Sequence, residues 1–181
     1  MPQVLIRPAA VTDLPAITAI YRDAVLHGTA TFELDPPDLA EMTRRFEALT
    51  NGGFPYLVAV REDVVIGYAY AGPYRPRPAY RFTVENSLYL DPAAHGQRIG
   101  TRLMQDLIAA CEARGYRQMI AVIGDSANLA SVGLHARTGF DMIGTHPSVG
   151  FKFGRWLDTV MMQRALGEGA ASLPKDSMSR T

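Results

Sequence analysis

Residues 84–103, VENSLYLDPAAHGQRIGTRL, contain the pattern that decides the fold of this chain. Apolar residues occupy strand-type positions from Val84 to Leu90, and Asp91-Pro92 ends the run because proline cannot donate to a β-ladder. An amphipathic helix then begins within residues 96–100. A turn of this kind leaves several main-chain N–H groups unpaired at the positive end of a helix. The stretch therefore predicts a binding site for a phosphate or pyrophosphate group.

Charged side chains strengthen that prediction and add a second one. Arg98 and Arg102 bring positive charge to the start of the helix. The carboxylate of Glu85 lies a few residues upstream, in the strand that leads into the loop. An anionic cofactor and a candidate base are therefore expected to share one crevice.

The composition indicates one domain whose stability does not depend on disulfide bonds. The chain has 181 residues, and its 18 lysines and arginines balance 18 aspartates and glutamates. That balance gives no reason to expect nucleic acid or an anionic membrane as a partner. The single cysteine, Cys111, excludes an internal disulfide and is expected to be a small buried side chain. The N-terminus lacks a signal pattern and no apolar run approaches ~18 residues, so we expect a cytoplasmic protein.

Strands and helices are predicted in alternation along the chain. The first part of the chain gives a strand over residues 4–7, helices ending near residues 27 and 50, and a hairpin over residues 56–70 with Gly67 as a bulge position. A strand over residues 80–90 and a helix ending at residues 114–115 follow. The last part gives a strand over residues 119–123, a helix over residues 128–137 and two final strands, the second over residues 156–162. This order predicts an α/β (α+β) fold with a mostly antiparallel sheet. Residues 1–167 are expected to form one domain, and residues 168–181, with few large apolar side chains, a flexible tail.

Three segments of the chain resemble the GCN5-related N-acetyltransferases, the GNAT superfamily. HGQRIG at residues 95–100 resembles the acetyl-CoA loop of that family, Gln/Arg-x-x-Gly-x-Gly/Ala. The other two matches are TVENSLYL at residues 83–90, for the strand before the loop, and Asn128 with Ser131 and LHARTGF at residues 134–140, for the second cofactor segment. The resemblance extends over residues 4–166 and implies acetyl-CoA as cosubstrate.

The loop departs from the family pattern at two positions. His95 stands where the family has Gln or Arg, and Arg98 replaces its first glycine. Main-chain amides hold a pyrophosphate in such loops, and side-chain changes leave them in place, so cofactor binding is expected to be retained. Arg98 must then adopt a backbone conformation that a β-carbon tolerates, and its guanidinium is a candidate phosphate contact.

Within the family, GPYRPRPAYRFTVENSLYL, AVIG and GFKFGRWLD resemble the phosphinothricin and methionine sulfoximine acetyltransferase branch. The resemblance implies the GNAT fold, a mixed and mostly antiparallel sheet of about seven strands, splayed at its centre, with about four flanking helices. It also implies transfer of acetyl to the α-amino group of a small amino-acid-like amine, of the phosphinothricin, methionine sulfoximine or methionine sulfone type. Transfer is expected to be direct, in a ternary complex, and the protein is expected to be a homodimer.

The resemblance assigns a role to individual residues near the reaction. Glu85 matches the base, which the reaction needs because an amine attacks a thioester only in its neutral form. His135 stands where many relatives carry a tyrosine that protonates the leaving thiolate, and we expect it to be a general acid or to orient the substrate. The residues expected to bind the cofactor are Leu88, Tyr89, Leu90, Gly96, Gln97, Arg98, Ile99, Gly100, Thr101 and Asn128.

A proline-stiffened loop before the catalytic strand is expected to bind the acceptor. By resemblance the match is Tyr74-Arg75-Pro76, and the planar guanidinium of Arg75 suits the α-carboxylate of an amino acid. The substrate residues are therefore expected to be Tyr74, Arg75, Pro76, Glu85, Asn86 and Ser87. The histidines lack metal-ligand spacing, so we expect no metal.

Two other functions stay open on the sequence alone. Acetylation of a protein N-terminus or of a lysine would require an open peptide groove instead of a closed pocket. A non-catalytic acyl-CoA sensor would bind the cofactor without turnover. The presence of Glu85 argues against the sensor, because binding alone requires no base.

Overall fold

The computed structural model describes residues 3–174, which form one seven-stranded sheet with four α-helices. The strands are β1 (Leu5–Pro8), β2 (Tyr56–Arg61), β3 (Val64–Pro73), β4 (Thr83–Leu90), β5 (Gln118–Gly124), β6 (Asp141–Lys152) and β7 (Arg155–Ala165). The helices are α1 (Leu14–His27), α2 (Leu39–Asn51), α3 (Ile99–Ala113) and α4 (Leu129–Arg137), with 3-10 turns at Val11–Asp13, Pro78–Tyr80 and Pro92–Ala94. The strands are ordered β1-β2-β3-β4-β5-β7-β6. The expected α/β class and its element count are confirmed.

The sheet opens at its centre, between β4 and β5. Every other neighbouring pair is antiparallel, and these two strands are parallel. Their pairing extends only over Thr83–Asn86 and Gln118–Ala121, although β4 continues to Leu90 and β5 to Gly124. The ends of the two strands therefore separate, and main-chain groups along the gap have no partner strand. This is the splay that the resemblance to the GNAT superfamily implied.

Side chains of β4 alternate between two hydrophobic layers. Val84 is fully buried among residues of α3, and Leu88 packs against the same cluster. Tyr89 packs on the other face, where its ring meets that of Tyr21 from α1 at 5.0 Å. Since alternate residues of a strand point to opposite faces, the side chain of Glu85 shares the α1 face with Tyr89.

Two details differ from the expected strand pattern. Strand β4 begins at Thr83 instead of Tyr80, because Pro76 and Pro78 favour a turn and Pro78–Tyr80 forms one. The bulge lies at Ile66, since Ala59 pairs with Gly67 and Val60 with Val65. Gly67 itself is required for close approach, because a β-carbon there would collide with the side chain of Leu90.

The C-terminal residues fold back on the domain as far as they are described. The N–H of Gly169 donates to the oxygen of Leu166 at 2.9 Å, and Arg117 donates to the main-chain oxygens of Ser172 and Leu173, both at 3.1 Å. Residues 175–181 of the expected tail lie outside the described residues, so the tail stays a prediction. A bilayer-spanning helix is not found in the part of the chain that the structure covers.

Candidate active site

A cleft of about 510 Å³ lies at the gap between β4 and β5. Its walls come from the end of β4, the loop before α3, the first turn of α3, the end of β5, α4 and the C-terminal end of α1. The expected site residues that line it are Asn86, Ser87, Leu88, Tyr89, Leu90, Gly96, Arg98, Ile99, Gly100, Thr101, Asn128 and His135. The fold therefore brings twelve of the expected site residues together in one cleft.

The α3 end of the cleft is built to receive an anion. Within the described residues, no group accepts a hydrogen bond from the main-chain N–H groups of residues 96–101. Gly96 has a φ of +73°, and Gly100 lies so close to α4 that an added β-carbon would be 2.7 Å from Cδ1 of Leu134. Helix α3 directs its positive end at this loop, so the residues present fit a pyrophosphate.

Arg98, which replaces a glycine of the family pattern, adopts a backbone conformation that its β-carbon tolerates. It precedes α3 with φ +59° and ψ 13°, in the left-handed region, which costs a residue with a β-carbon about 1 kcal/mol. Its side chain is exposed at the rim of the cleft. The left-handed turn directs the chain into the helix, so the backbone geometry is kept although the glycine is lost.

The side chain of Gln97 makes its hydrogen bonds within the protein, and its main-chain N–H belongs to the expected pyrophosphate loop. Its side-chain N–H donates to the main-chain oxygen of Ala93 at 2.9 Å, and its side-chain oxygen accepts from Arg61 of β2. The residue is not among those that line the cleft. Its side chain stabilises the loop by joining it to the last residue of β2.

Asn86 and His135 form a buried hydrogen bond at the base of the gap. Nδ2 of Asn86 lies 2.9 Å from Nε2 of His135, and both residues are at least nine-tenths buried, with 7% and 5% exposed. On its other side, Nδ1 of His135 lies 2.8 Å from the main-chain oxygen of Ser131. That oxygen can only accept, so Nδ1 carries the proton and Nε2 accepts from the Asn86 amide.

This arrangement holds His135 as a neutral imidazole. Burial lowers its pKa, and the hydrogen bond with Ser131 opposes the shift without cancelling it. The proton of the neutral ring is already donated to Ser131. Oδ1 of Asn86, in contrast, is buried and has no hydrogen-bond partner among the described residues. The group left available for a bound molecule therefore belongs to Asn86.

Glu85 lies beside Asn86 but on the opposite face of the sheet. It is half-buried, and burial raises the pKa of its carboxyl group. On the same face, Ser87 pairs with Tyr70 of the neighbouring strand β3. Glu85 is not part of the cleft lining, so the expected base and the expected cofactor groups lie on two sides of one strand.

The expected acceptor loop is close to Glu85 but outside the cleft. Gly72 pairs with Glu85, and the loop follows one residue later, after Pro73. Arg75 is exposed, and its guanidinium lies over the rings of Tyr74 and Tyr80, 5.1 and 5.8 Å from their centres. Tyr74, Arg75 and Pro76 are absent from the cleft lining.

One wall of the cleft was missed by the sequence. It consists of Asp23, Ala24, His27, Gly28 and Ala30, at the end of α1 and in the loop after it. Gly124, the last residue of β5, was the sequence feature that could have indicated this wall. In the structure a β-carbon at Gly124 would collide with the main-chain oxygen of Thr29. A glycine that ends a buried strand indicates that another part of the backbone approaches closely.

A forked sheet with an anion-binding helix at the fork defines the acyltransferases that use a CoA thioester. Comparison with known proteins agrees. The Acetyltransferase (GNAT) family model matches residues 17–140. Phosphinothricin N-acetyltransferase of Alcaligenes faecalis is 56% identical over 163 residues, which is 90% of this chain and 83% of that protein.

Two further relatives agree with this assignment. The L-methionine sulfoximine/L-methionine sulfone acetyltransferase of Pseudomonas aeruginosa is 46% identical over 159 residues, 87% of this chain and 92% of that protein. The crystal structure of a phosphinothricin acetyltransferase from Sinorhizobium meliloti with acetyl-CoA has a TM-score of 0.94 and 50% identity, with 98% and 96% of the two chains covered. The chain belongs to the Acetyltransferase (GNAT) family. The expectation of an N-acetyltransferase that uses acetyl-CoA is confirmed.

Proposed function

We propose that the enzyme acetylates the α-amino group of a small amino-acid-like acceptor, of the phosphinothricin, methionine sulfoximine or methionine sulfone type. The observation that carries the proposal is the position of Glu85 and Asn86 at the fork of the sheet. Glu85 provides a carboxyl group of raised pKa on the α1 face, and Asn86 provides an amide in the cleft. The names of the relatives support the choice of acceptor.

At the cofactor end, acetyl-CoA supplies an activated acetyl group and the chain supplies main-chain donors. The N–H groups of residues 96–101 bind the pyrophosphate, and those main-chain groups of residues 88–90 that face the gap bind the acetyl and pantetheine arm. The oxygen of Asn128 caps α4 by accepting from the N–H of Ser131 at 3.2 Å. Its side-chain amide N–H groups remain for the pantetheine arm, so both expected roles of Asn128 are compatible.

On the acceptor side, Glu85 removes the proton of the amine, directly or through one water molecule. Its raised pKa makes it a better base near neutrality than an exposed glutamate. His135 has the orienting role of the two that were expected, because its acceptor nitrogen holds the Asn86 amide. Outside the cleft, Arg75 with its neighbours Tyr74 and Pro76 binds the α-carboxylate, and Ser87 contacts the acceptor on the face of Glu85.

Transfer is direct, within a ternary complex of enzyme, acetyl-CoA and acceptor. A covalent acetyl-enzyme would need an activated nucleophile, and neither the Cys111 thiol nor the Ser131 hydroxyl is activated. The thiol of Cys111 is buried, which raises its pKa to about 12. The hydroxyl of Ser131 lies 3.4 Å from Nδ1 of His135, whose proton is directed at the main-chain oxygen of the same serine.

The test is a thiol-release assay with acetyl-CoA and a panel of acceptors. The panel contains L-phosphinothricin, L-methionine sulfoximine, L-methionine sulfone, the common amino acids and short peptides. We expect turnover with the amino-acid analogues. Turnover with peptides alone would support protein acetylation instead, and acetyl-CoA binding without any turnover would support a sensor.

A second copy of the chain is the proposed partner at the β6–β7 hairpin. This hairpin exposes six large apolar side chains, those of Met142, Ile143, Val149, Phe151, Phe153 and Trp156. We expect a homodimer by analytical ultracentrifugation and weaker association for Phe151→Ser with Trp156→Ser. A monomer at micromolar concentration would contradict this. A cytoplasmic location stays a prediction, as does the absence of nucleic-acid, membrane and metal partners.

A further inference from the structure

Lys152, the last residue of β6, has a buried ammonium group that the proposed chemistry does not use. Only 3% of the residue is exposed. Its Nζ donates to the main-chain oxygens of Gly28 and Thr31, both at 2.9 Å. The third side of the ammonium faces the ring of Phe153, 5.0 Å from the ring centre. All three donor directions are therefore occupied within the protein.

The two carbonyl groups belong to residues 28–33, the first part of the connection between α1 and α2. This segment has no helix or strand of its own. Other contacts converge on it from β5 and the β6–β7 hairpin. The Thr29 hydroxyl donates to Asp125 at 2.9 Å, and Asp125 in turn accepts from Arg155 at 2.6 Å. Lys152 contacts the main chain of the segment at two points, whereas the Tyr21 hydroxyl contacts the side chains of Thr31 and Glu33.

Residues 28–33 border the acceptor side of the site. The first part of this segment, Gly28 and Ala30, belongs to the wall of the cofactor cleft. Its second part faces α1, where the hydroxyl of Thr31 is 3.0 Å from that of Tyr21. The ring of Tyr21 meets Tyr89, which shares the α1 face of β4 with Glu85. The acceptor amine must approach the base on that face, and residues 31–33 lie on it through the contacts of the Tyr21 hydroxyl with Thr31 and Glu33.

We propose that Lys152 is a positioning residue for the acceptor amine, acting through the main chain of residues 28–33. The inference rests on the proposed function and adds a residue to it. Lys152 contacts no bound molecule itself, because its donors are already used. By holding Gly28 and Thr31 at a fixed separation, it gives the unstructured segment one shape and keeps the acceptor at attacking distance from the acetyl group.

The choice of lysine at this position fits the role. The chain has sixteen arginines and two lysines, Lys152 and Lys175. An ammonium is a compact donor that can reach two carbonyl oxygens from one atom, whereas the guanidinium of arginine is planar and larger. Burial lowers the pKa of Lys152, and the nearby Glu33 carboxylate opposes that shift. Burial of the Lys152 charge is unfavourable, and its hydrogen bonds to Gly28 and Thr31 hold residues 28–33 in place.

The test compares Lys152→Met with wild type and with Arg114→Met. Methionine keeps the length of the side chain and removes the donors. Arg114 is a matched control, because it also donates to two main-chain oxygens, of Gly53 at 3.0 Å and Ala110 at 2.8 Å, away from the cleft. The readouts are kcat and KM for L-methionine sulfone, the Kd of acetyl-CoA by calorimetry, and hydrogen exchange of residues 28–33.

We expect Lys152→Met to raise the KM of the acceptor by about tenfold or more and to speed exchange of residues 28–33, with the Kd of acetyl-CoA unchanged. Arg114→Met should change none of the three. Lost thermal stability with an unchanged KM would overturn the inference, as would an equal loss of acetyl-CoA affinity. If Lys152→Met does not fold, Lys152→Leu, which also removes the donors and leaves an apolar side chain, is judged by the same results. A wild-type enzyme without turnover would instead contradict the proposed function.

Discussion

Nδ2 of Asn86 lies 2.9 Å from Nε2 of His135, and this hydrogen bond joins β4 to α4 at the point where the sheet opens. The imidazole accepts in this bond, because its Nδ1 proton is donated to the main-chain oxygen of Ser131. His135 therefore determines which way the Asn86 amide faces. His135 could act by orienting Asn86 or by donating a proton to the leaving thiolate. The two roles predict different activities for two substitutions of His135.

His135→Gln should keep most of the activity, because a glutamine oxygen can also accept from Asn86. His135→Phe should lower kcat by about tenfold, because it leaves a buried amide N–H without a partner. Steady-state kinetics of the two variants measures the difference. If His135 were a general acid, both variants would lose activity equally, because neither side chain can give up a proton.

The neutral state of His135 also predicts a dependence of stability on pH. Its pKa is lowered in the folded protein, so between that value and the ordinary pKa of about 6.5 the unfolded chain binds more protons. The contribution of His135 to the free energy of unfolding is thus complete above about pH 6.5 and falls as the pH is lowered. Urea unfolding at pH 7.5 and pH 5.5 should show a larger loss for wild type than for His135→Gln. Equal losses would contradict a neutral buried imidazole.

Glu85→Gln should lower kcat at neutral pH by roughly two orders of magnitude, because it removes the proton acceptor. The Kd of acetyl-CoA should stay within about twofold, since Glu85 is not part of the cleft lining. Burial raises the pKa of Glu85, and the base works when it is deprotonated. The acidic limb of the wild-type profile of kcat/KM should therefore lie above the ordinary glutamate range. Near-normal turnover of the variant would exclude Glu85 as the base.

Arg98→Gly and Arg98→Ala separate the backbone of the loop from its side chain. Glycine relieves the left-handed conformation at φ +59° and should raise the free energy of unfolding by about 0.5–1 kcal/mol. Alanine keeps the β-carbon and should give no such gain. If the guanidinium contacts phosphate, both variants should weaken acetyl-CoA binding to a similar extent. A stability gain in both, or in neither, would show that the backbone conformation carries no cost here.

Gly100→Ala should destabilise the protein by about 1–3 kcal/mol, because the added methyl group overpacks the contact of α3 with α4. The β-carbon would lie 2.7 Å from Cδ1 of Leu134. Combining it with Leu134→Val should recover part of the loss, which chemical denaturation of the single and double variants measures. Strictly additive losses would mean that the two side chains do not compete for the same space.

Local patterns determined which parts of the fold and site were predictable. Strand β4, the glycine loop and α3 follow one another in sequence, so the alternation of apolar residues and the helix start were sufficient to place them. Lys152 and the wall at Gly28 depend on contacts between residues more than a hundred positions apart. A single sequence carries little information about such pairs. The tautomer of His135 was also beyond prediction, because it depends on which oxygen lies next to Nδ1.

The most direct test of the proposed chemistry is an initial-velocity study with acetyl-CoA and L-methionine sulfone varied together. Glu85 and the cleft lie on two sides of β4, so both substrates must be bound before the amine can attack. Direct transfer predicts double-reciprocal plots that intersect to the left of the axis. Parallel lines, together with an acetylated protein in the absence of acceptor, would contradict it.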